Sequence, residues 1–156
     1  MAEAGDLALD LDCDAQRGGQ AATLARGIVR ALGAMGHAAL VELPLGTGRR
    51  ADVVGLDSRG RFVIVEIKTS LADFRTDGKW PDYLAHCDRF YFAVPPNFPH
   101  HVLPEAHGVM VADAYGAEIV RPAPVAPMAE RLRRRQWLRF ARHGAARLMR
   151  RADPMA

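Results

Sequence analysis

Two carboxylates and a lysine stand out in the stretch "RRADVVGLDSRGRFVIVEIKTS", residues 49 to 70. Asp52 lies at the start of one candidate strand, and Glu66 and Lys68 lie at i and i+2 on the next, beyond the turn Asp57-Ser58-Arg59-Gly60. Alternation along a strand puts Glu66 and Lys68 on one face with Phe62 and Ile64, while Val63, Val65 and Ile67 take the other. Apolar side chains on both faces predict a central strand covered on two sides, where an uncompensated charge is costly. Either Glu66 forms a structural ion pair with Lys68 or Arg50, or the charged groups act as a set. A hairpin would bring Asp52 alongside them. Two carboxylates beside a lysine suit a hard, oxygen-seeking ion such as Mg²⁺ or Mn²⁺, with the backbone carbonyl of Ile67 as a further ligand. Such an ion would neutralise phosphate charge and acidify a water, while Lys68 oriented that water or met the charge growing on the phosphate. Glu42 is one more carboxylate upstream, a metal-site residue or a surface group according to a direction the sequence leaves open.

These residues need elements to position them. Leu24, Ile28, Ala31, Leu32 and Met35 recur at helical spacing and predict a helix over 18–35, stopped by Gly36. Arg26 and Arg30 share one of its faces. A strand at 37–43, halted by Pro44, precedes strands at 51–56 and 61–68 in an antiparallel meander. Thr69 and Ser70 end the last strand or begin a turn. A loop containing Asp73 and Asp77, which no ligand spacing singles out, then leads to a helix near 80–87 with Pro81 in its first turn. Lys79 and Tyr83 would share a face of that helix, and Trp80 either packs on the sheet or stacks on a base. "RFYFAVP" reads as a strand, and "HGVMVADAYGAEIV" as a hairpin turning near Gly116. After the break "RPAPVAPM", Leu132, Trp137, Leu138, Phe140, Ala141 and Leu148 mark a helix over about 128–151. The order helix, three strands, helix, strand predicts an α/β fold with a mixed central sheet flanked by helices.

At 156 residues the chain suits one domain, and 49% apolar content argues against disorder. Residues 1–16 hold five acids and only Arg17 follows them before the predicted helix, so a flexible acidic arm is expected over 1–16 and a single domain over 17–151. The net charge of +3 conceals an arginine-rich C-terminal segment that includes Arg133 and Arg134, consistent with a phosphate-bearing partner or with a solvated helix face. No apolar run approaches membrane-spanning length. Cys13 and Cys87 are isolated, which points to a reducing cytoplasm. The histidines are too scattered to suggest zinc, and no glycine-rich phosphate cradle supports nucleotide hydrolysis.

"RAD", a 13-residue gap and then "EIK" resemble the Asp…Glu-x-Lys pattern of the PD-(D/E)xK restriction-endonuclease-like superfamily. The longer string "GRRADVVGLDSRGRFVIVEIKTSLADFRTDGKWPDYLAHCDRFYFAVP" (48–95), with "VADAYGAEIVR" (111–121), is similar to the bacterial MmcB family of DNA-repair endonucleases. The resemblance implies an αβββαβ core, Asp52 and Glu66 as ligands of Mg²⁺ or Mn²⁺, and Lys68 as the catalytic lysine. It implies in-line attack by an activated water on DNA, leaving a 5′-phosphate, and it admits a homodimer and repair-protein partners. Arg49, Arg50, Lys79, Tyr83, Arg133 and Arg134 are the expected DNA contacts. Two departures from the superfamily are Ala51 in place of the usual proline and a first helix (18–36) without an acid. Lys79-x-x-x-Tyr83 also stands where some relatives carry Gln-x-x-x-Tyr. Alternatives are a non-catalytic DNA-binding module that kept the fold, and a scaffold that docks partners through its charged ends.

Overall fold

The apolar runs around Asp52 and Glu66 become neighbouring strands in the computed structural model, which describes residues 4–156, and side chains from Gly18 onward. In chain order the elements are α1 (Ala4–Ala34), β1 (Ala38–Pro44), β2 (Arg50–Leu56), β3 (Phe62–Ile67), α2 (Leu71–Thr76), a 3-10 helix (Trp80–His86), β4 (Arg89–Val94), a 3-10 turn (His100–Val102), β5 (Gly108–Ala112), β6 (Ala117–Arg121) and α3 (Glu130–Ala152). The strands form one sheet in sequence order. β1, β2 and β3 pair antiparallel, β4 and β5 add in parallel, and β6 returns antiparallel. This is a mixed sheet with helices on both faces, as the sequence predicts. The parallel step from β3 to β4 requires a crossover, which α2 and the 3-10 helix supply.

Every residue of β3 is buried, because the sheet is covered on both sides at its centre. On one face Leu24, Ile28 and Leu32 of α1 pack on Val53, Val63, Val65 and Met110. On the other, Leu132 and Phe140 of α3 and Tyr83 of the 3-10 helix pack with Val54, Phe62, Ile64 and Phe92. Trp80 takes the packing role: it stacks on Phe90 at 5.9 Å and meets Phe92 edge-on at 5.2 Å. At the far end of the hairpin, Asp57 Oδ1 accepts from the Arg59 and Arg61 amides, both at 2.9 Å. Gly60 there has φ +78°, a left-handed turn conformation that glycine adopts without steric cost.

α1 lies so close to the β5–β6 turn that a Cβ built on Gly27 would sit 1.9 Å from the Asp113 carbonyl oxygen. Both sides of that contact are backbone, so neither can rotate away. Gly27→Ala is expected to cost about 1–3 kcal/mol, by analogy with overpacked cores, read as a lower urea midpoint with an unchanged slope.

Several elements differ from the sequence expectation. α1 begins at Ala4, well before residue 18, since neither glycine nor proline interrupts residues 6–17. The arm expected over 1–16 falls on positions whose first three residues, and whose side chains throughout, lie outside the described residues. Residues 71–76, expected as loop, form a short helix because Ser70 caps it, accepting from the Asp73 amide at 3.1 Å. The segment 80–86 is helical but tightened to 3-10 geometry. In α3, Leu138 and Leu148 point outward, 62% and 68% exposed, so the buried stripe runs through Leu132, Gln136 and Phe140 instead.

Two arginines of α3 serve an edge. β1 ends the sheet, and Arg139 and Arg147 donate to its Pro44 and Glu42 carbonyls at 3.4 and 3.0 Å. These bonds occupy carbonyls that an unpaired strand edge would otherwise present. Arg133, expected to contact DNA, is likewise committed inside the fold. Its guanidinium donates to both oxygens of buried Asp88, at 2.8 and 2.5 Å, and to the Gly60 carbonyl at 3.0 Å.

Candidate active site

Asp52, Glu66 and Lys68 meet where the β2–β3 hairpin stops being paired. The ladder runs from Leu56↔Phe62 to Val53↔Val65 and ends there, leaving Ile67 without a partner on β2. Asp52 Oδ2 takes the place of that partner, accepting from the Ile67 amide at 2.8 Å. The amide and carbonyl of one strand residue point the same way, so the Ile67 carbonyl turns toward Asp52. On the other side of β3, the Lys68 amide donates to the Ala93 carbonyl at 2.9 Å, which anchors the Glu66-Ile67-Lys68 backbone to β4.

The side chains of Glu66 and Lys68 share a face, as alternation predicts, and both are buried. Lys68 Nζ stands 3.7 Å from Glu66 Oε1 and donates a short hydrogen bond to Asp77 Oδ2, just beyond α2. Burial by itself would lower the Lys68 pKa, but the Asp77 hydrogen bond and the Glu66 and Asp77 charges overcome it and hold the ammonium above its usual value. Lys68 is therefore a cation at neutral pH. Asp77 carries the matching anion, its pKa lowered by Lys68 and by the Lys79 amide against the opposing effect of burial.

Glu66 is in the opposite position. Its Oε2 is buried with no hydrogen-bond partner among the described residues. Burial, and next the charge of Asp52, push its pKa up to about 9. Asp52 is also raised, by burial, although the Ile67 amide pulls it down. Burial of both carboxyl groups, and the charge of Asp52 on Glu66, favour a proton on the pair when no cation is present. A divalent ion would replace that proton. The orphaned Glu66 oxygen, the Asp52 carboxylate and the Ile67 carbonyl are hard oxygen donors that fit Mg²⁺ or Mn²⁺.

Among the described residues, no group of three or more His, Cys, Asp or Glu side chains gathers as a metal cluster. Two carboxylates nevertheless suffice for an ion of the Mg²⁺ type, which keeps waters and takes its remaining ligands from substrate phosphates. Glu42 does not join the pair: its side chain is 63% exposed and lies 3.6 Å from Arg50. It sits beside Asp52 at the β1–β2 seam in a left-handed backbone conformation, φ +50°, which is uncommon for a residue with a Cβ.

The expected DNA contacts divide into two groups. Arg50, Lys79 and Arg134 are exposed, and Arg134 is paired with Glu130 at 3.3 Å. Arg49 is half-buried and paired with Asp82 at 3.0 Å. Tyr83 and Arg133 face inward. Tyr83, expected to share an outer face with Lys79, is turned into the core by the tighter 3-10 winding, and its hydroxyl donates to the Arg50 carbonyl at 3.1 Å. That bond fixes the backbone two residues before Asp52, so the tyrosine positions the site from below. Asp77 is the residue that sequence spacing does not reveal. Its signal was the Ser70-x-x-Asp73 start of α2, which makes the chain turn once and returns Asp77 to the end of β3.

This sheet order, with a buried Glu-x-Lys strand between a hairpin and a crossover, defines an α/β fold of the PD-(D/E)xK restriction-endonuclease-like class. The chain belongs to the MmcB-like family, whose model, described as DNA repair protein MmcB-like, matches residues 10–155. It is similar to a solved structure from Silicibacter pomeroyi, a protein of unknown function, at 44% identity and a TM-score of 0.82 over 85% of this chain and 91% of that one. No functionally curated protein matches it. Among the described residues no helix is long and apolar enough to cross a membrane.

Proposed function

We propose that this protein is a Mg²⁺- or Mn²⁺-dependent DNA endonuclease that acts in repair. The observation that carries the reading is the buried Glu66 oxygen without a donor, set against Asp52 and next to a lysine kept protonated. Asp52, Glu66 and the Ile67 carbonyl would hold the ion, and its contribution when bound is to neutralise phosphate charge and acidify a water. Lys68 presents a fixed positive charge to the phosphate as negative charge builds on its oxygens, and Asp77 keeps that ammonium protonated and aimed. Arg49, Arg50, Lys79 and Arg134 hold flanking phosphates, which orients the strand without reading bases. A homodimer that cuts both strands, a cytoplasmic location and docking to other repair proteins belong to the same reading.

The second reading, a DNA-binding module without catalysis, is favoured by one feature: among the described residues no third carboxylate joins Asp52 and Glu66 in a metal cluster, and Lys68 is tied to Asp77. End-labelled single-stranded, duplex, flap, nicked and branched DNA separate the two. The nuclease cuts at least one of them in Mg²⁺ or Mn²⁺ and none in EDTA. Salt-sensitive binding with no cuts across the panel supports the second reading instead.

A further inference from the structure

A groove crosses the edge of the sheet and ends at Asp52. Its outer part lies between α3 and β1, with Leu40, Val41 and Leu148 as an apolar floor and Arg147, Arg150 and Arg151 along the α3 wall. Its inner part lies between α1 and the ends of β1 and β2, where Arg26 and Arg30 stand on the α1 wall and Asp52 and Ile67 close the end. Val29 and Val41 line both parts, so the two are continuous. Arg26, Arg30, Arg150 and Arg151 have no ion-pair partner among the described residues. Glu42 is the opposing carboxylate along the way, and Arg50 is near it at 3.6 Å. The floor is open to solvent: Leu148 is 68% and Val41 36% exposed.

We propose that this groove seats single-stranded DNA and delivers it to Asp52 and Glu66. Cationic walls over an apolar floor match an unpaired strand, whose phosphates meet the arginines while its base faces cover the aliphatic side chains. A duplex keeps its base faces stacked and offers that floor nothing to bury. The groove would therefore admit an unpaired tail, a flap or a gap, and a duplex would reach it only where its strands separate. The inference rests on the nuclease reading for the destination of the strand, but the groove's occupancy can be measured without cleavage.

The test is fluorescence anisotropy in EDTA with a labelled oligo-dT strand of about 20 nucleotides, and with a duplex of equal length. The single strand is expected to bind about tenfold more tightly than the duplex at equal salt. Arg26→Glu with Arg30→Glu, and separately Arg150→Glu with Arg151→Glu, are each expected to weaken single-strand binding by about tenfold or more. Arg59→Glu with Arg89→Glu, at the opposite end of the sheet, changes the same net charge and should leave binding within about twofold if the groove is the site. Equal affinity for duplex and single strand, or equal losses in all three double variants, overturns the proposal. A protein that passes this test and never cuts keeps its single-strand groove and loses the nuclease reading. One that cuts but shows no groove dependence does the reverse.

Discussion

Glu66→Gln is expected to lower metal-dependent cleavage by a factor on the order of 10²–10³ while raising thermal stability. The two effects have one cause. In the folded protein without a cation, Glu66 is buried against Asp52 with an oxygen that nothing donates to, and its pKa is pushed up to about 9. At neutral pH it must hold a proton that the unfolded chain would release. Glutamine has the same shape, is neutral, and its amide donates toward Asp52 without recruiting that proton. The gain in EDTA is expected to be about 1 kcal/mol, in the range of other stabilising replacements at strained functional sites. The ion loses a charged ligand at the same time, so any rise in melting temperature that Mg²⁺ or Mn²⁺ gives the wild type should vanish in the variant. Thermal melts with and without metal, beside cleavage rates, check both halves. A variant that is less stable than the wild type in EDTA, or that cuts at the wild-type rate, contradicts the assignment.

The second large effect is structural. Asp88→Ala is expected to destabilise the protein by about 3–5 kcal/mol, because it leaves the half-buried Arg133 cation only Glu130, at 3.6 Å, as an anionic partner and strips the Phe62 and Met128 amides of their acceptor. Asp88 holds together parts of the chain distant in sequence. Its carboxylate accepts from the Phe62 amide at 2.8 Å, the Met128 amide at 3.1 Å and two nitrogens of Arg133, while its own carbonyl accepts from Ala126. The start of β3, the start of β4 and the segment leading into α3 are thereby fixed to one residue. Burial opposes ionisation of Asp88, but the Arg133 hydrogen bonds and the two amides hold its pKa below the usual aspartate value. Its stabilising contribution is then complete above the unfolded value of about 3.9 and is lost as the pH falls through the lower folded value. Urea midpoints of the wild type and Asp88→Ala should differ widely at neutral pH and converge in strong acid. A constant difference down to the lowest pH at which both fold would mean that the charge of Asp88 contributes nothing.

The hairpin and its charged residues were legible because short-range rules govern them. Asp57-Ser58-Arg59-Gly60 signals a turn, strand alternation fixes the shared face of Glu66 and Lys68, and the sheet order follows from short connections. What stayed hidden depends on long-range contacts. Arg133 looks like any of its neighbours along α3 until Asp88, 45 positions earlier, is brought beside it. Tyr83 and Lys79 share a face in an α-helix, but the 3-10 winding of 80–86 turns one inward and leaves the other out. No ligand spacing marks Asp77, and the Ser70-x-x-Asp73 helix start signals only the turn of α2 that brings it back to Lys68. The groove is hidden for the same reason: Arg26 and Arg30 share one helix face, but the α3 arginines that continue the groove lie more than a hundred residues away in sequence.

If Asp52, Glu66 and Lys68 cut DNA together with a divalent ion, Lys68→Ala should remove the cutting and leave the fold intact. The wild type and the variant, shown by circular dichroism to share one fold, are compared in single-turnover cleavage of the best-cut DNA, in Mg²⁺, Mn²⁺ and EDTA. Metal-dependent cuts are expected from the wild type, at least about 10²-fold slower in the variant, with DNA binding in EDTA largely unchanged. A folded Lys68→Ala protein that cuts at the full rate would contradict the assignment.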